Sequence, residues 1–339
     1  MRLYRKISHL FSLSDLSDST PPIAPEVAAT EAPETKAGPS NLRLRVIWGL
    51  IGAALLLGSV WFSPWTFGLF FAFVQAVMLW EFYRMMKQAG TAPAVGIGLV
   101  CALLIFAVFH AGFNPQAYAA LFAPDSGMQQ ALPVGLSPVL MYVTALSVTF
   151  IIVGLILPSI LLLREMKRWK GQGPAFANVA VTLLGLLYVG VPIALLNGIS
   201  HAPAGYDYRR VIVLLFLVWS ADIGAYFSGK ALGRHKLAPG ISPGKTWEGW
   251  AGGALLTLAI GWALGYLIPE MPLTHRLVAA GVVAVFGPLG DLAESMLKRS
   301  VGMKDSGSIM PGHGGLLDRF DAFLLVLPIL ALLQMLAGQ

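Results

Sequence analysis

Uninterrupted apolar runs of about twenty residues recur along nearly the whole chain, and they constrain the fold more than any other feature. A helical run of that length crosses a hydrocarbon core of about 30 Å. Only α-helices and closed β-barrels satisfy their backbone hydrogen bonds inside a bilayer, and these runs lack the apolar-polar alternation of barrel strands. The sequence therefore predicts an all-α, polytopic integral membrane protein.

The apolar runs predict nine membrane-spanning helices with an alternating charge pattern between them. They begin at Val46, Phe67, Ala94, Val139, Phe176, Val211, Gly249, Leu277 and Phe320. Lys and Arg concentrate in the loops after the second, fourth, sixth and eighth spans, with Arg209 and Arg210 as the exception. Because such loops face the cytoplasm, the N-terminus is predicted to be cytoplasmic and the C-terminus outside, in the cytoplasmic (inner) membrane.

The polar N-terminal segment divides the chain into two predicted regions. Residues 1–42 are rich in Pro and Ser and are predicted to be a disordered tail, with a short interfacial helix at its start as the alternative. Residues 43–339 form the membrane domain. No secretory signal is expected, since the first apolar run begins only near Val46. The single Cys101 excludes an intrachain disulfide, and the net charge of +6 is better explained by membrane orientation than by nucleic acid, so no nucleic-acid partner is predicted.

Charged residues are scarce, yet they are dense between the last two apolar runs. Only 12% of all residues are charged. An unpaired carboxylate inside a bilayer costs roughly 2.5–3.5 kcal/mol, so such a cluster indicates a functional site. We predict that these residues carry the chemistry, together with the intramembrane Asp222: Asp291, Lys298, Arg299, Lys304, Asp305, His313, Asp318, Arg319 and Asp321.

Two intramembrane acids suggest a cation site. Asp222 and Asp291 are predicted at matched depth below the cytoplasmic ends of their helices. Asp291, Ser295 and Lys298 are spaced i, i+4, i+7 and share one helix face. Hard oxygen ligands without a His or Cys cluster suit Mg²⁺. For each acid, an interhelical hydrogen bond or a pair with Lys298 or Arg299 is the structural alternative.

The surrounding residues suit a substrate rich in phosphate. The basic side chains supply donors, and the glycines Gly312, Gly314 and Gly315 allow backbone N–H groups to approach an anion. A second polar segment offers Ser242, Lys245 and Thr246, although a turn facing lipid headgroups explains it equally well. The spacing required for a nucleotide-binding P-loop is absent. His313 is predicted to act as an acid, as a base or as a hydrogen-bond donor to phosphate, with a plain hydrogen-bonding residue as the alternative.

The same residues resemble a known family. The signature of the phosphatidate cytidylyltransferase (CDP-diacylglycerol synthase) family is similar to Ser295-x-x-Lys298-Arg299-x4-Lys304-Asp305-x-Gly307-x-x-Met310-Pro311-x-His313-Gly314-Gly315-x-x-Asp318-Arg319-x-Asp321. The segments 222–230, 235–239 and 242–249 also resemble blocks of that family. In the N-terminal half, the resemblance is limited to the run of spans and to Glu81-Phe-Tyr, and Met310 replaces the usual Leu, Ile or Phe.

The resemblance implies transfer of a cytidylyl group from CTP to phosphatidic acid, which gives CDP-diacylglycerol and pyrophosphate. It further implies a homodimer, with Asp291 and Asp318 as Mg²⁺ ligands and Asp222 as a third acid for a second cation. The phosphate-binding residues it implies are Lys245, Lys298, Arg299, Lys304 and Arg319. Two other functions stay open. One is an ion-coupled transporter, since buried acids also mark ion pathways. The other is a CTP-using kinase of a polyprenyl or phytyl alcohol.

Overall fold

Helices account for most of the part of the chain that the computed structural model describes, which is residues 39–115, 138–171, 173–202, 205–309 and 314–337. Most of the predicted tail lies outside these ranges. The helices are α1 (Pro39–Phe62), α2 (Pro64–Gln88), α3 (Val95–Phe113), α4 (Pro138–Phe150), α5 (Leu157–Arg168), α6 (Ala175–Gly185), α7 (Val191–Ile199), α8 (Tyr208–Leu232), α9 (Trp247–Ala263), α10 (Leu273–Ser300) and α11 (Leu317–Leu336).

Two pairs of helices are continuous, because a short π-helix joins their members. The segment Ile151–Ile156 joins α4 to α5, and Leu186–Gly190 joins α6 to α7. A proline follows each joint, Pro158 in one case and Pro192 in the other. Proline has no N–H for the preceding turn, and a widened turn accommodates that missing hydrogen bond. Each joined pair therefore forms one span, as the sequence predicts.

Within the described residues, seven helices are long and apolar enough to cross a membrane. They are Pro64–Gln88, Val95–Phe113, Val139–Arg168, Ala175–Ile199, Tyr208–Leu232, Leu273–Ser300 and Leu317–Leu336. Two further predicted spans fall on shorter apolar helices, Val46–Phe62 within α1 and the 17-residue α9. Seventeen helical residues measure about 25 Å, slightly less than a bilayer core. The all-α membrane fold is confirmed, whereas the count of nine spans stays a prediction.

Polar caps explain where three helices begin. Ser63 separates α1 from α2, and its hydroxyl accepts the backbone N–H of Thr66 at 3.1 Å. Asp207 caps α8 through the N–H of Arg209 at 3.0 Å. Thr246 caps α9 by accepting the N–H of Gly249 at 3.1 Å. Each cap satisfies a donor that the first helical turn leaves without an intrahelical partner.

The sequence did not predict two short antiparallel hairpins between helices. One pairs β1 (His201–Ala202) with β2 (Gly205–Tyr206), and the other pairs β3 (Lys236–Ala238) with β4 (Ser242–Thr246). The second hairpin turns at Pro239-Gly240, a dipeptide that favours tight turns. Because β4 leads directly into α9, this hairpin fixes the position of Lys245.

Glycines bring the last four helices into backbone contact. A Cβ atom added to Gly224 would lie 2.9 Å from the carbonyl oxygen of Gly252, so α8 and α9 cross closely. A Cβ atom on Gly290 would lie 2.6 Å from the carbonyl oxygen of Asp321, where α10 crosses α11. Small residues permit such close approach between membrane helices. These crossings bring the predicted acids on neighbouring helices towards one another.

One face of helix α2 is buried along its length and carries polar side chains that bind distant segments. Gln75 donates a hydrogen bond to the carbonyl oxygen of Gly190 at 2.9 Å, and the Tyr83 hydroxyl donates to that of Thr182 at 2.7 Å. Glu81 lies between them and is 0% exposed. Helix α2 therefore ties the N-terminal helices to the rest of the membrane unit.

Candidate active site

A cleft of about 440 Å³ opens between α8, the second hairpin, α9 and α10. Its walls include Asp222, Lys245, Thr246 and Asp291, which come from three separate segments of the sequence. A volume of this size is within the range of pockets that bind small molecules. The structure thus brings both predicted intramembrane acids to one cavity, beside the Lys and hydroxyl of the second polar segment.

Lys245 is the cation nearest to the acids in this cleft. Its Nζ atom lies 2.6 Å from Asp291 Oδ2 and 3.2 Å from the carbonyl oxygen of Pro288. The other carboxylate oxygen of Asp291 accepts a hydrogen bond from the Ser295 hydroxyl at 3.3 Å. This arrangement connects β4 to α10 and leaves a charged pair on the wall of the cavity.

Three acids converge where α10 crosses α11. One carboxylate oxygen from each of Asp291, Glu294 and Asp321 lies within 4.8 Å of the others. Asp291 and Glu294 are three residues apart on α10 and therefore share a helix face. The close crossing at Gly290 supplies Asp321 from the opposite helix. Oxygen ligands at this spacing suit a hard divalent cation such as Mg²⁺.

Lys298 joins this acid cluster to Asp318. Its Nζ atom lies 2.5 Å from Glu294 Oε2 and 2.7 Å from Asp318 Oδ1. Glu294 is fully buried and Lys298 nearly so. A single cation thus compensates two carboxylates on two helices, and loss of Lys298 would leave buried charge without a partner.

Asp318, predicted as a metal ligand, is not part of the three-acid cluster in this structure. Its Oδ2 atom accepts the backbone N–H of Gly315 at 2.8 Å and that of Ser306 at 3.0 Å. The Ser306 hydroxyl also donates to it at 3.0 Å. With Lys298 on the other oxygen, the carboxylate of Asp318 organises the loop before α11. The adjacent acid, Asp321, faces the predicted ligand Asp291 instead.

Two glycines that were predicted to bind substrate have contacts inside the protein. Gly314 has φ +81°, and a Cβ atom there would lie 2.7 Å from Asp318 Oδ2. Gly315 donates its N–H to that same carboxylate. The positive φ and the close approach both favour glycine, and the anion that these residues meet here is a side chain of the protein.

Glu81 joins the site although sequence reasoning gave it no role. Its Oε2 atom accepts the backbone N–H of Leu317 at 2.8 Å and lies 3.4 Å from the Ser306 hydroxyl. Arg84, one turn later, donates to the carbonyl oxygen of Ser306 at 3.3 Å. Two features of the sequence could have indicated a role for Glu81. It is an acid within an apolar run, and it belongs to the Glu81-Phe-Tyr segment that resembles the family.

The remaining predicted residues are distributed around the site. Thr246 acts as a helix cap and Ser242 begins β4. Arg299 donates to the carbonyl oxygen of Met303 at 3.1 Å. Exposed residues surround the loop between α10 and α11, namely Arg299, Lys304, Asp305 and Arg319. Gly312 and His313 lie outside the described residues.

Comparisons with known proteins agree with the motif resemblance. Phosphatidate cytidylyltransferase of Bacillus subtilis (strain 168) is 43% identical over 157 residues, which cover 46% of this chain and 58% of that protein. The enzymes of the same name from Staphylococcus aureus (strain COL) and Staphylococcus epidermidis (strain ATCC 12228 / FDA PCI 1200) are 42% and 40% identical over 160 residues, 47% of this chain and 60% of theirs. The chain thus matches about three-fifths of these relatives' length.

A family model described as "Cytidylyltransferase family" extends further and matches residues 43–336. The match includes the cleft, the three-acid cluster and Glu81, as well as the whole set of candidate spans. Since it covers most of the sequence, the chain belongs to the cytidylyltransferase family.

Proposed function

We propose that this protein is a phosphatidate cytidylyltransferase, a membrane nucleotidyltransferase that converts CTP and phosphatidic acid to CDP-diacylglycerol and pyrophosphate. The observation that carries the proposal is the cleft in which Asp222, Lys245 and Asp291 meet, beside three converging acids. Family membership and the names of the bacterial relatives support the same reaction. One substrate is soluble and anionic and the other is held in the bilayer, so a charged cavity among membrane helices suits both.

The donor set fits a divalent cation. Asp291, Glu294 and Asp321 offer three carboxylate oxygens within 4.8 Å of one another, the hard ligands that Mg²⁺ takes. When bound, Mg²⁺ would neutralise phosphate charge and orient the triphosphate. We assign Asp291 and Asp321 as ligands with Glu294 completing the set, and Asp222 on the cleft wall as an acid for a second cation. In this assignment Asp318 positions Lys298 and the neighbouring loop.

The chain's own residues serve binding and orientation. A phosphate oxygen of phosphatidic acid attacks the α-phosphorus of CTP, and the bond from that phosphorus to the pyrophosphate oxygen breaks, so no protein nucleophile is required. Lys245 is placed to exchange its contact with Asp291 for a contact with phosphate. The exposed Arg299, Lys304 and Arg319 provide further cations. Preorganised charge of this kind stabilises the transition state without reorganisation during the reaction.

The cleft is proposed to face the cytoplasm of a bacterial inner membrane, where CTP is present. The basic loops after α2, α5, α8 and α10 support this orientation through the positive-inside rule. We further propose nine spans with a cytoplasmic N-terminus. We also propose a homodimer, which the family resemblance implies.

The test uses CTP labelled with ³²P at either the α- or the γ-phosphate, with phosphatidic acid in detergent micelles. The α-label is expected to enter a lipid-soluble cytidine product, whereas the γ-label should leave as pyrophosphate. Excess chelator should abolish the reaction, and added Mg²⁺ should restore it. Transfer of the γ-label to a polyprenyl or phytyl alcohol would identify a kinase instead. Ion flux without any lipid product would identify a transporter.

A further inference from the structure

Helix α11 begins without a capping side chain of its own. Leu316 precedes the helix at the N-cap position, and its side chain makes no capping hydrogen bond. The N–H of Leu317 donates instead to Glu81, which is on α2. A carboxylate at this position satisfies an orphan donor and complements the positive end of the helix dipole.

The same carboxylate lies against the loop before α11. The Ser306 hydroxyl is 3.4 Å from Glu81 and 3.0 Å from Asp318, so one hydroxyl lies between the two acids. Arg84 binds the carbonyl oxygen of Ser306 at 3.3 Å. Helix α2 therefore contacts this loop through an acceptor and a donor, both from a part of the chain far away in sequence.

Glycines make the approach of Glu81 to the loop possible. A Cβ atom on Gly315 would lie 2.7 Å from both carboxylate oxygens of Glu81, and one on Gly307 would lie 2.7 Å from its Cδ atom. Side chains at either position would displace the loop or the carboxylate. These glycines of the signature therefore make room for Glu81, in addition to any contact with substrate.

Buried polar residues elsewhere on α2 provide a comparison. Gln75 is also 0% exposed and binds the carbonyl oxygen of Gly190, but it makes no hydrogen bond to the part of the loop before α11 that the structure describes. A role in folding alone would make Gln75 and Glu81 equivalent. Only Glu81 connects through Ser306 to Asp318, and through Asp318 to Lys298 beside the three-acid cluster.

We propose that Glu81 is a positioning residue, which caps α11 from a distant helix and holds the loop that sets Asp318 and Lys298 in place. It acts through these groups and contacts no reacting atom. Loss of its carboxylate releases the Leu317 N–H and the Ser306 hydroxyl, so Asp318 loses its fixed orientation. The kinetic part of this inference rests on the proposed function, whereas the structural part is independent of it.

The test compares Glu81→Ala, Glu81→Gln and the matched control Gln75→Ala in the full-length detergent-purified protein. Hydrogen–deuterium exchange is followed in peptides that cover residues 305–309 and 314–318. Glu81→Ala should accelerate exchange there at least tenfold, and Gln75→Ala should leave these peptides unchanged even if it lowers thermal stability. Glu81→Gln retains an acceptor oxygen and should keep exchange close to the wild-type rate.

Turnover supplies the second measurement. Glu81→Ala should lower kcat about 100-fold, because a displacement of about 1 Å in a catalytic group has an effect of that size, with KM for CTP changed less than threefold. The kcat of Glu81→Gln should be at least tenfold higher than that of Glu81→Ala. Equal behaviour of Glu81→Ala and Gln75→Ala in both measurements would overturn the proposal. If the wild-type protein makes no lipid-linked cytidine, the proposed function fails while the exchange result still tests Glu81.

Discussion

At the scale of residues, the acids of the site divide into two groups by the partners they have. Asp291 and Asp321 face each other across two helices with their oxygens close together. Asp318 is three residues from Asp321, yet it is surrounded by donors from Lys298, Ser306 and Gly315. Asp318 is enclosed by donors at both oxygens and is poorly placed to ligate a cation. Asp291 and Asp321 face other acids, and the Lys245 that now pairs with Asp291 is proposed to move to phosphate, so a cation is needed there to offset the repulsion.

This division predicts different effects of removing each charge. Asp321→Asn should raise the Mg²⁺ concentration for half-maximal turnover at least ~10-fold, since a ligand charge is lost. Asp318→Asn should lower kcat without moving that concentration. Mg²⁺ titration of CDP-diacylglycerol synthesis measures both kcat and the Mg²⁺ concentration for half-maximal turnover. Glu270→Gln, at an exposed position, is the control that should change neither quantity. A shift in Mg²⁺ dependence for Asp318→Asn alone would return Asp318 to the metal site.

Lys298 provides a stability prediction at the same scale. Lys298→Met keeps much of the side-chain volume but leaves Glu294 and Asp318 without their shared cation. Breaking a buried ion pair in this way typically costs about 3–5 kcal/mol. Reversible unfolding of the purified protein in mixed SDS micelles measures the loss. The exposed Arg299→Met is the matched control for stability, and an equally small change in both variants would contradict the assigned role.

At the scale of helices, the sequence predicts spans well and contacts between them poorly. Each predicted span starts within a helix, or one residue before it, because the length of an apolar run is a local property. The proximity of Asp321 to Asp291 depends on the crossing at Gly290, which no periodicity reveals. The contact of Glu81 with Leu317 joins residues 236 positions apart, and the short hairpin that carries Lys245 lies in a polar loop that the sequence predicts only as a turn.

The helix crossing at Gly290 can be tested by adding a single methyl group. In Gly290→Ala the new Cβ atom would lie 2.6 Å from the backbone oxygen of Asp321, so α10 and α11 must move apart. Overpacking of this kind costs about 1–3 kcal/mol, and turnover should fall as Asp321 moves away from Asp291. Gly281→Ala on the same helix has open space and serves as the control. Turnover and unfolding equal to wild type in Gly290→Ala would refute the close crossing.

At the scale of the whole membrane unit, the last four helices bring both signature regions to one end. Lys245, two residues before α9, contacts Asp291, and the indole of Trp250 in α9 donates to the carbonyl oxygen of Ala284 at 2.9 Å. Later residues of the α9 segment therefore contact earlier residues of α10, so the two helices are antiparallel. The loops after α8 and after α10 lie at the same end, independent of the number of spans before them.

Arg209 is an exception to the distribution of basic residues between the loops, and it lies at the end of the membrane unit opposite the cleft. Its contacts there explain how its charge is accommodated. It pairs with Asp207 at 3.0 Å and with Glu270 at 3.3 Å, and the second pair joins the first turn of α8 to the loop after α9. Two neighbouring acids largely offset its charge. The positive-inside rule counts Lys and Arg and gives acids little weight, so these pairs explain how Arg209 is held at this end but leave it an exception to the rule.

Labelling of single cysteines tests the proposed topology in a Cys101→Ala background. Glu270→Cys should react with a membrane-impermeant maleimide in intact cells, because the loop after α9 is proposed to lie outside. Lys87→Cys and Gly240→Cys should react only after permeabilisation, since α2 and α8 are proposed to end in the cytoplasm. Equal labelling of Gly240→Cys and Glu270→Cys would mean that the 17-residue α9 does not cross the membrane. Labelling of Gly240→Cys in intact cells would instead place the cleft outside, away from CTP, and would contradict the proposed reaction.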